Sequence, residues 1–268
     1  MNTLHHGDCL EVMATLADGS VDAIITDLPY GTTSCHWDSV IPFEPMWEQL
    51  SRIIRPNGAI VLFGSEPFTS VLITSNIKMF RYCWIWEKEN ASNFFAAKFQ
   101  PLNNTEDIVV FSKGGCNNGT KNPAFYNPQG VKIVNQPCIN SKSVGGLLGV
   151  AHKSAMVGGR KYTRTLAGYP LKTLKYKRDS NKSHPTQKPI ALMEYLIKTY
   201  TNENETVLDF TMGSGTTIIA AENTRRNSIG IERDEAIFQL AVKRINAHLF
   251  IDNVAEGATA VEIGRAHV

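Results

Sequence analysis

Val207-Leu-Asp-Phe-Thr-Met-Gly-Ser-Gly-Thr-Thr217 is the stretch that decides the fold. A strand at Thr206 to Phe210 runs into a glycine turn, and a helix then continues to Arg225. Gly213 and Gly215 let the backbone approach a ligand closely, and the helix start offers unpaired N–H groups. The next strand, Ser228 to Glu232, ends 17 residues after Gly215 on an acid placed to take both hydroxyls of a ribose. Alone, this turn also fits a dinucleotide site. Ile218 nevertheless stands where that motif needs its third glycine. Asp209, four residues before the first glycine, suits a ligand with a cationic ammonium better than one with a phosphate.

Working outward, strands and helices alternate. Val21 to Asp27 reads as a short buried strand, Pro42 to Ile54 as a helix ended by Arg55-Pro-Asn-Gly58, and Ala59 to Phe63 as another buried strand. A helix at Pro67 to Ile77 and strands at Arg81 to Glu87 and Asp107 to Ser112 follow. A further helix at Pro189 to Tyr200 precedes the glycine turn, and the last helix runs to Leu249. This order predicts an α/β domain, a parallel sheet with helices on both faces. Gly114 to Lys182 interrupts it with a loop-rich stretch of Gly, Asn, Lys and Ser.

The charge is segregated. The chain of 268 residues carries a net +2, yet Lys113 to Ser183 holds 13 Lys and Arg against one acid, Asp179. That is +12 against −10 for the remainder. A solvated basic loop would look similar, but so complete a separation points to a polyanion partner. No apolar stretch is long enough for a membrane helix, and Met1 to Leu10 has no secretory pattern. The five cysteines are scattered without a CxxC pair, which suggests neither disulfides nor a zinc site and fits a reducing cytoplasm.

Asp209-Phe-Thr-Met-Gly-Ser-Gly-Thr216 resembles the cofactor loop of amino-group DNA methyltransferases, the class acting on adenine N6 or cytosine N4. Ser183-His-Pro-Thr-Gln-Lys-Pro189 is similar to the segment preceding that loop in the permuted subgroup, whose catalytic half comes first. Gly7-Asp-Cys-Leu10 resembles that subgroup's opening element. The likeness spans roughly Met1 to Leu249 with its motifs in order. It implies a circularly permuted, Rossmann-like sheet binding S-adenosylmethionine. Asp8 would meet the adenine, Asp209, Phe210, Gly213, Ser214, Gly215 and Thr216 the methionine part, and Glu232 the ribose, with Cys9 also among the cofactor-binding residues. Further cofactor contacts would come from Thr186, Lys188 and Pro189. His184 is given no catalytic part, because methyl transfer to an amine needs no imidazole there.

Asp27-Leu-Pro-Tyr30 closes its strand where ligand sites gather in open α/β sheets, and it resembles the family's Asp-Pro-Pro-Tyr with Leu28 replacing the first proline. An exocyclic amine conjugated to its ring is a poor nucleophile. The Asp27 carboxylate and the carbonyl of Leu28 can each accept one of its N–H bonds and draw the nitrogen toward a tetrahedral form. Pro29 stiffens the turn, and Tyr30 offers a face for an extruded base. Leu28 keeps the acceptor but loses rigidity. Aspartate in the first position favours adenine, since the cytosine enzymes of the family usually carry serine there.

The resemblance also places the DNA-reading region after Asn104 to Lys113, which divides the chain into residues 1–112 (catalytic half), 113–183 (basic target-reading insert), 184–250 (cofactor half) and a tail. Lys153, Arg160, Lys161, Arg164, Lys172, Lys175, Lys177 and Arg178 are the candidate phosphate contacts. Double-stranded DNA is the implied partner, a homodimer and a companion restriction nuclease being compatible with it. Glu262 to Val268 resembles the translated end of a sequencing adapter, so the natural chain is expected to differ after about Val261. The competing readings are a cytosine-N4 enzyme, an RNA methyltransferase, an inactive DNA-binding relative and an NAD-dependent oxidoreductase. The last gives the basic insert no role.

Overall fold

The computed structural model describes residues 1–31, 39–139, 161–179 and 187–256. They divide into two compact units, Met1–Asn127 with residues from Lys172 onward, and Pro128–Leu171. In the first half of the larger unit lie β1 (Asn2–His6), α1 (Cys9–Thr15), β2 (Val21–Asp27), α2 (Phe43–Ile53), β3 (Ile54–Gly64), α3 (Phe68–Ser75), β4 (Phe80–Ser92) and β5 (Asn103–Phe111). The smaller unit pairs β6 (Lys132–Ile139) with β7 (Lys161–Ala167), antiparallel. The larger unit resumes with β8 (Thr173–Lys175), α4 (Ile190–Tyr200), β9 (Thr206–Asp209), α5 (Thr216–Asn223), β10 (Asn227–Glu232) and α6 (Glu235–Glu256). None of the helices among the described residues is long and apolar enough to cross a membrane.

The main sheet has the order β1-β10-β9-β2-β3-β5-β4-β8. Alternation of side chains across the pleat sends Ile24, Ile60, Leu62, Val109 and Leu208 to one face. Ala23, Ile25, Val61, Phe63, Ile108 and Val207 go to the other. Both faces are apolar because both are covered. Met46, Trp47, Leu50 and Ile53 form the buried stripe of α2 on the first face, and Leu192, Met193, Leu196 and Ile197 that of α4 on the second. β2 and β9 lie side by side although the chain leaves β2 toward β3 and leaves β9 toward β10. Such a topological switch point opens a crevice at the strands' C-terminal ends.

The sheet departs from an all-parallel one. β5 runs antiparallel to both β3 and β4, forming a hairpin on one side of the sheet. β3 starts at Ile54, directly after α2, earlier than the strand at Ala59 that the sequence predicts. Arg55 there pairs with the buried Asp22, which also accepts from the Thr206 amide at 2.8 Å. β1 and α1 had no counterpart in the sequence reading. The compact unit Pro128–Leu171 is narrower than the expected insert of 113–183. Gly114–Asn127 belongs to the larger unit, and β8 extends its sheet alongside β4.

Candidate active site

β2 and β9 deliver two carboxylates to the crevice. Asp209 ends β9 with 4% of its surface exposed. It accepts from the hydroxyls of Thr26 and Thr217 and, at 3.2 Å, from the Thr211 amide. Among the described residues no lysine or arginine pairs with it. Burial without a cation pushes its carboxyl up to about 6, against the pull of these hydrogen bonds. Thr211 also donates to the backbone carbonyl of Asp27 at 2.9 Å, tying the cofactor turn to the catalytic strand.

The glycine turn is held from three sides. The Met212 amide bonds Ile231, the Gly213 amide donates to Glu232 at 3.0 Å, and Arg244 of α6 donates to the Ser214 carbonyl and Thr216 hydroxyl, both at 2.9 Å. Glu232 accepts from the Asp234 amide with its other oxygen, at 2.9 Å. The two glycines have different tasks. Gly213, at φ +52, has open space where a Cβ would stand, whereas a Cβ on Gly215, at φ +78, would meet Ile245 at 2.8 Å. Gly215 thus permits α6 to pack closely against the turn. Gly215→Ala should cost roughly 2–4 kcal/mol, from left-handed backbone strain plus overpacking, and Gly213→Ala only about 1–2 kcal/mol. Urea unfolding of both variants checks the order, and equal losses would contradict it.

Asp27 ends β2 with Leu28 buried behind it. One oxygen accepts from the Tyr30 hydroxyl at 2.8 Å, the other from Lys188 Nζ at 2.6 Å. The same lysine lies 2.7 Å from Glu106 on β5, and the Tyr30 hydroxyl is 3.1 Å from that carboxylate. Lys88 of β4 completes the cluster at 3.0 Å from Glu106. The Tyr30 ring packs on Phe68, centroids 5.1 Å apart. Burial works upward on Glu106, but Lys188 and Lys88 outweigh it and bring the carboxyl down to about 2. Asp27 moves the other way: burial raises it, Lys188 opposes, and the Glu106 charge adds to the rise. Burial and both carboxylates keep the Tyr30 phenol well above its usual range and therefore neutral.

A cavity of about 820 Å³ joins the two carboxylates. Asp27, Leu28, Pro29 and Tyr30 line it together with Asp8, Cys9, Lys188, Asp209, Phe210, Gly213, Ser214, Thr216 and Glu232. Asp8 also caps α1, accepting from the Leu10 amide at 2.9 Å, and burial drives the Cys9 thiol up to about 12. Gly215 and Pro189, of the cofactor set, are not among the lining residues described; Pro189 instead caps α4. Thr186 and His184 lie outside the described residues.

Sequence reasoning missed Glu106, Lys88, Thr26, Thr211 and Arg244. Glu106 was within reach of it, because a period of two puts Glu106 on the inward face of β5 with Ile108 and Val110.

Of the candidate DNA contacts, Lys153 and Arg160 lie outside the described residues, as does the side chain of Lys161, whose backbone opens β7. Arg164 is exposed on β7. Lys172, Lys175, Lys177 and Arg178 belong to the larger unit. There Lys175 pairs with Glu87 at 3.1 Å and Lys177 with Glu89 at 2.8 Å, while Arg178 lines the cavity. Exposed pairs of this kind are worth about 0–1 kcal/mol, so they leave either lysine free to exchange its partner for a phosphate.

A mainly parallel α/β sheet with a glycine turn and acids at its switch point defines a Rossmann-like nucleotide-cofactor enzyme. Residues 21–243 match the family model for N6/N4 DNA methylases, and the chain belongs to that family. It is a DNA methyltransferase of the amino-group class, whose methyl donor is S-adenosylmethionine. Among curated relatives, the type II methyltransferase M.HinfI of Haemophilus influenzae is 27% identical over 91% of this chain and 68% of its own. M.HpaI of Haemophilus parainfluenzae is 25% identical over 90% and 73%. Of solved structures, the complex of M1.HpyAVI with S-adenosylmethionine superposes at a TM-score of 0.57, with 29% identity over 91% of this chain and all of that one. The PvuII cytosine-N4 methyltransferase gives 0.61 at 15% identity, covering 96% and 93%, a likeness of fold alone.

Proposed function

We propose that the chain methylates the N6 amine of an adenine swung out of duplex DNA, with Asp27, Leu28, Pro29 and Tyr30 receiving the base. The observation that carries this reading is a carboxylate at the end of β2, held on one side by Lys188 and Tyr30 and open on the cavity side. An ionised aspartate only accepts hydrogen bonds, which suits an amine with two N–H groups to give. Transfer is direct, so positioning and electrostatics supply most of the acceleration. Mass spectrometry of nucleosides from DNA treated with the enzyme decides the base. N6-methyladenine supports the reading; N4-methylcytosine replaces it with the other activity of the family.

The cavity fits the methyl donor. Asp209 is a buried carboxylate without a cation partner among the described residues, as a ligand ammonium requires, and Gly213 leaves its side of the turn clear. Gly213, Ser214 and Thr216 at the start of α5 would hold the methionine portion, Glu232 the ribose and Asp8 the base. When bound, S-adenosylmethionine supplies an electrophilic methyl group on a sulfonium. The chain's own residues orient it, keep water from it and hold the amine in line.

The basic stretch is the element we assign to target reading. Neutralising Arg160, Lys161 and Arg164 together should weaken binding to every duplex and flatten its salt dependence, by roughly 0.9 in logarithmic slope per lost phosphate contact. Cofactor affinity should not change. Titrations at several salt concentrations test this, and an unaltered slope would move the DNA-reading role away from these residues.

A further inference from the structure

The cluster around Asp27 contains more charge than acceptance of an amine requires. Two carboxylates, Asp27 and Glu106, alternate with two ammonium groups, Lys188 and Lys88, and the Tyr30 hydroxyl spans the carboxylates. The four charges sum to zero. Glu106 is 7% exposed, Lys188 10% and Lys88 12%, so each is withdrawn from water and needs the others. Lys188 Nζ also lies 4.9 Å from the centroid of the Phe63 ring on β3, which closes its apolar side. The main chain fixes where the lysine starts. Pro189 caps α4, α4 packs its apolar face against the sheet, and Asp179 accepts from the Ile190 amide at 3.3 Å.

In the cavity that also holds the cofactor residues, Lys188 directs its ammonium to Asp27 and Glu106. We propose that Lys188 and Glu106 are positioning residues that fix the Asp27 carboxylate, as an acceptor only, toward the target amine. The proposal rests on the assignment of Asp27 above. A protonated Asp27 would present an O–H to the amine, offering a donor where an acceptor is needed. Lys188 prevents that by holding one oxygen. Glu106 keeps Lys188 charged and in place, and its own charge is balanced from the far side by Lys88. Asp27 is faced by Lys188 from the segment before α4, Glu106 from β5, Tyr30 from its own loop and Asp209 from β9.

Two single variants must then act in opposite directions. Lys188→Met leaves two buried carboxylates to share one lysine, so the acid limb of the single-turnover rate should move up by roughly one pH unit or more. Glu106→Gln removes the charge that raises Asp27, so its limb should move down. The double variant Lys188→Met/Glu106→Gln removes one charge of each sign. Its limb should return toward the wild-type position, and its rate should exceed that of Lys188→Met alone. Calorimetry with S-adenosylmethionine should give a dissociation constant within about twofold of wild type for all three.

Coincident acid limbs in Lys188→Met and wild type would overturn the proposal. A tenfold loss of cofactor affinity would also overturn it, since Lys188 would then belong to the cofactor's contacts. A double variant slower than both singles would show a purely structural role. Should Lys188→Met not fold, Glu106→Gln still tests the idea: its limb must move down, and an unmoved limb overturns it. Asp27→Ala run alongside separates the two layers. If that variant is inactive while the limbs stay put, only the network proposal fails; if it is active, the reading of Asp27 fails with it.

Discussion

Asp27→Ala should lower the single-turnover methylation rate by at least about 10²–10³-fold while leaving S-adenosylmethionine bound within a few-fold of its wild-type affinity. The magnitude is that of removing one preorganised polar contact made to the reacting group in a water-excluded site. The separation follows from the fold. Asp27 ends β2 and Asp209 ends β9, so the two carboxylates stand on different, adjacent strands, and the hydroxyls of Thr26 and Thr211 link the strand ends. Deleting the Asp27 side chain leaves the Asp27 carbonyl to accept from Thr211, and the turn keeps its bonds to Glu232 and Arg244. Because the alanine variant also strips one carboxylate from Lys188, Asp27→Asn is the companion, similar in shape and uncharged. It should be nearly as slow, since an amide in that position can offer N–H groups against those of the target. Rapid-quench methylation and calorimetry measure the two effects. Undiminished turnover in either variant would remove Asp27 from the chemistry.

What the sequence disclosed was whatever is written locally. The glycine turn at 207–217 could be read because φ above zero and a close helix approach leave few alternatives to glycine. β2 could be read because a central strand covered on both faces is mostly apolar, here Val21 and Ala23 to Ile25, and Asp27 because it is the acid that ends the strand. β1 could not. Asn2–His6 is short, half-exposed and polar, and becomes a strand only by pairing with β10, more than 220 residues away. The antiparallel β4–β5 hairpin escaped for a related reason, since apolar runs carry no mark of direction. The ion cluster is the sharpest case. Lys188 sits in a motif that suggested the cofactor, Glu106 in a strand, Lys88 between two glutamates, and nothing nearby in sequence says that they converge on Asp27. Only the folded sheet brings β2, β4 and β5 to one place.

Asp209→Asn should make the protein without cofactor more stable at pH 7.5 and at the same time weaken S-adenosylmethionine binding by about one to two decades. Both effects come from one buried carboxylate. Its carboxyl is raised from 3.8 to about 6 by burial, so the folded state binds that proton more tightly than the unfolded chain does. Stability from this group is therefore fully present below pH 3.8 and is lost as the pH rises through about 6. The displacement of about two units corresponds to roughly 3 kcal/mol of strain carried by the ionised, empty site at neutral pH. Asparagine keeps an acceptor for Thr26 and the Thr211 amide, carries no charge, and should recover about 1–3 kcal/mol at pH 7.5 and little at pH 4. Binding pays the other side of that exchange. The ligand ammonium loses a charge-assisted contact worth roughly 1.5–3 kcal/mol, or about 10- to 150-fold in affinity. In the wild type, cofactor affinity should likewise fall as the pH drops below about 6, where Asp209 takes up its proton. Thermal melts at pH 4 and 7.5, with and without S-adenosylmethionine, read both arms. The wild type should show a large ligand-induced rise at pH 7.5, and the variant a higher baseline with a small rise. A variant that binds the cofactor as tightly as wild type, or that is less stable than it at pH 7.5, would mean that Asp209 is not the carboxylate kept waiting for the ammonium.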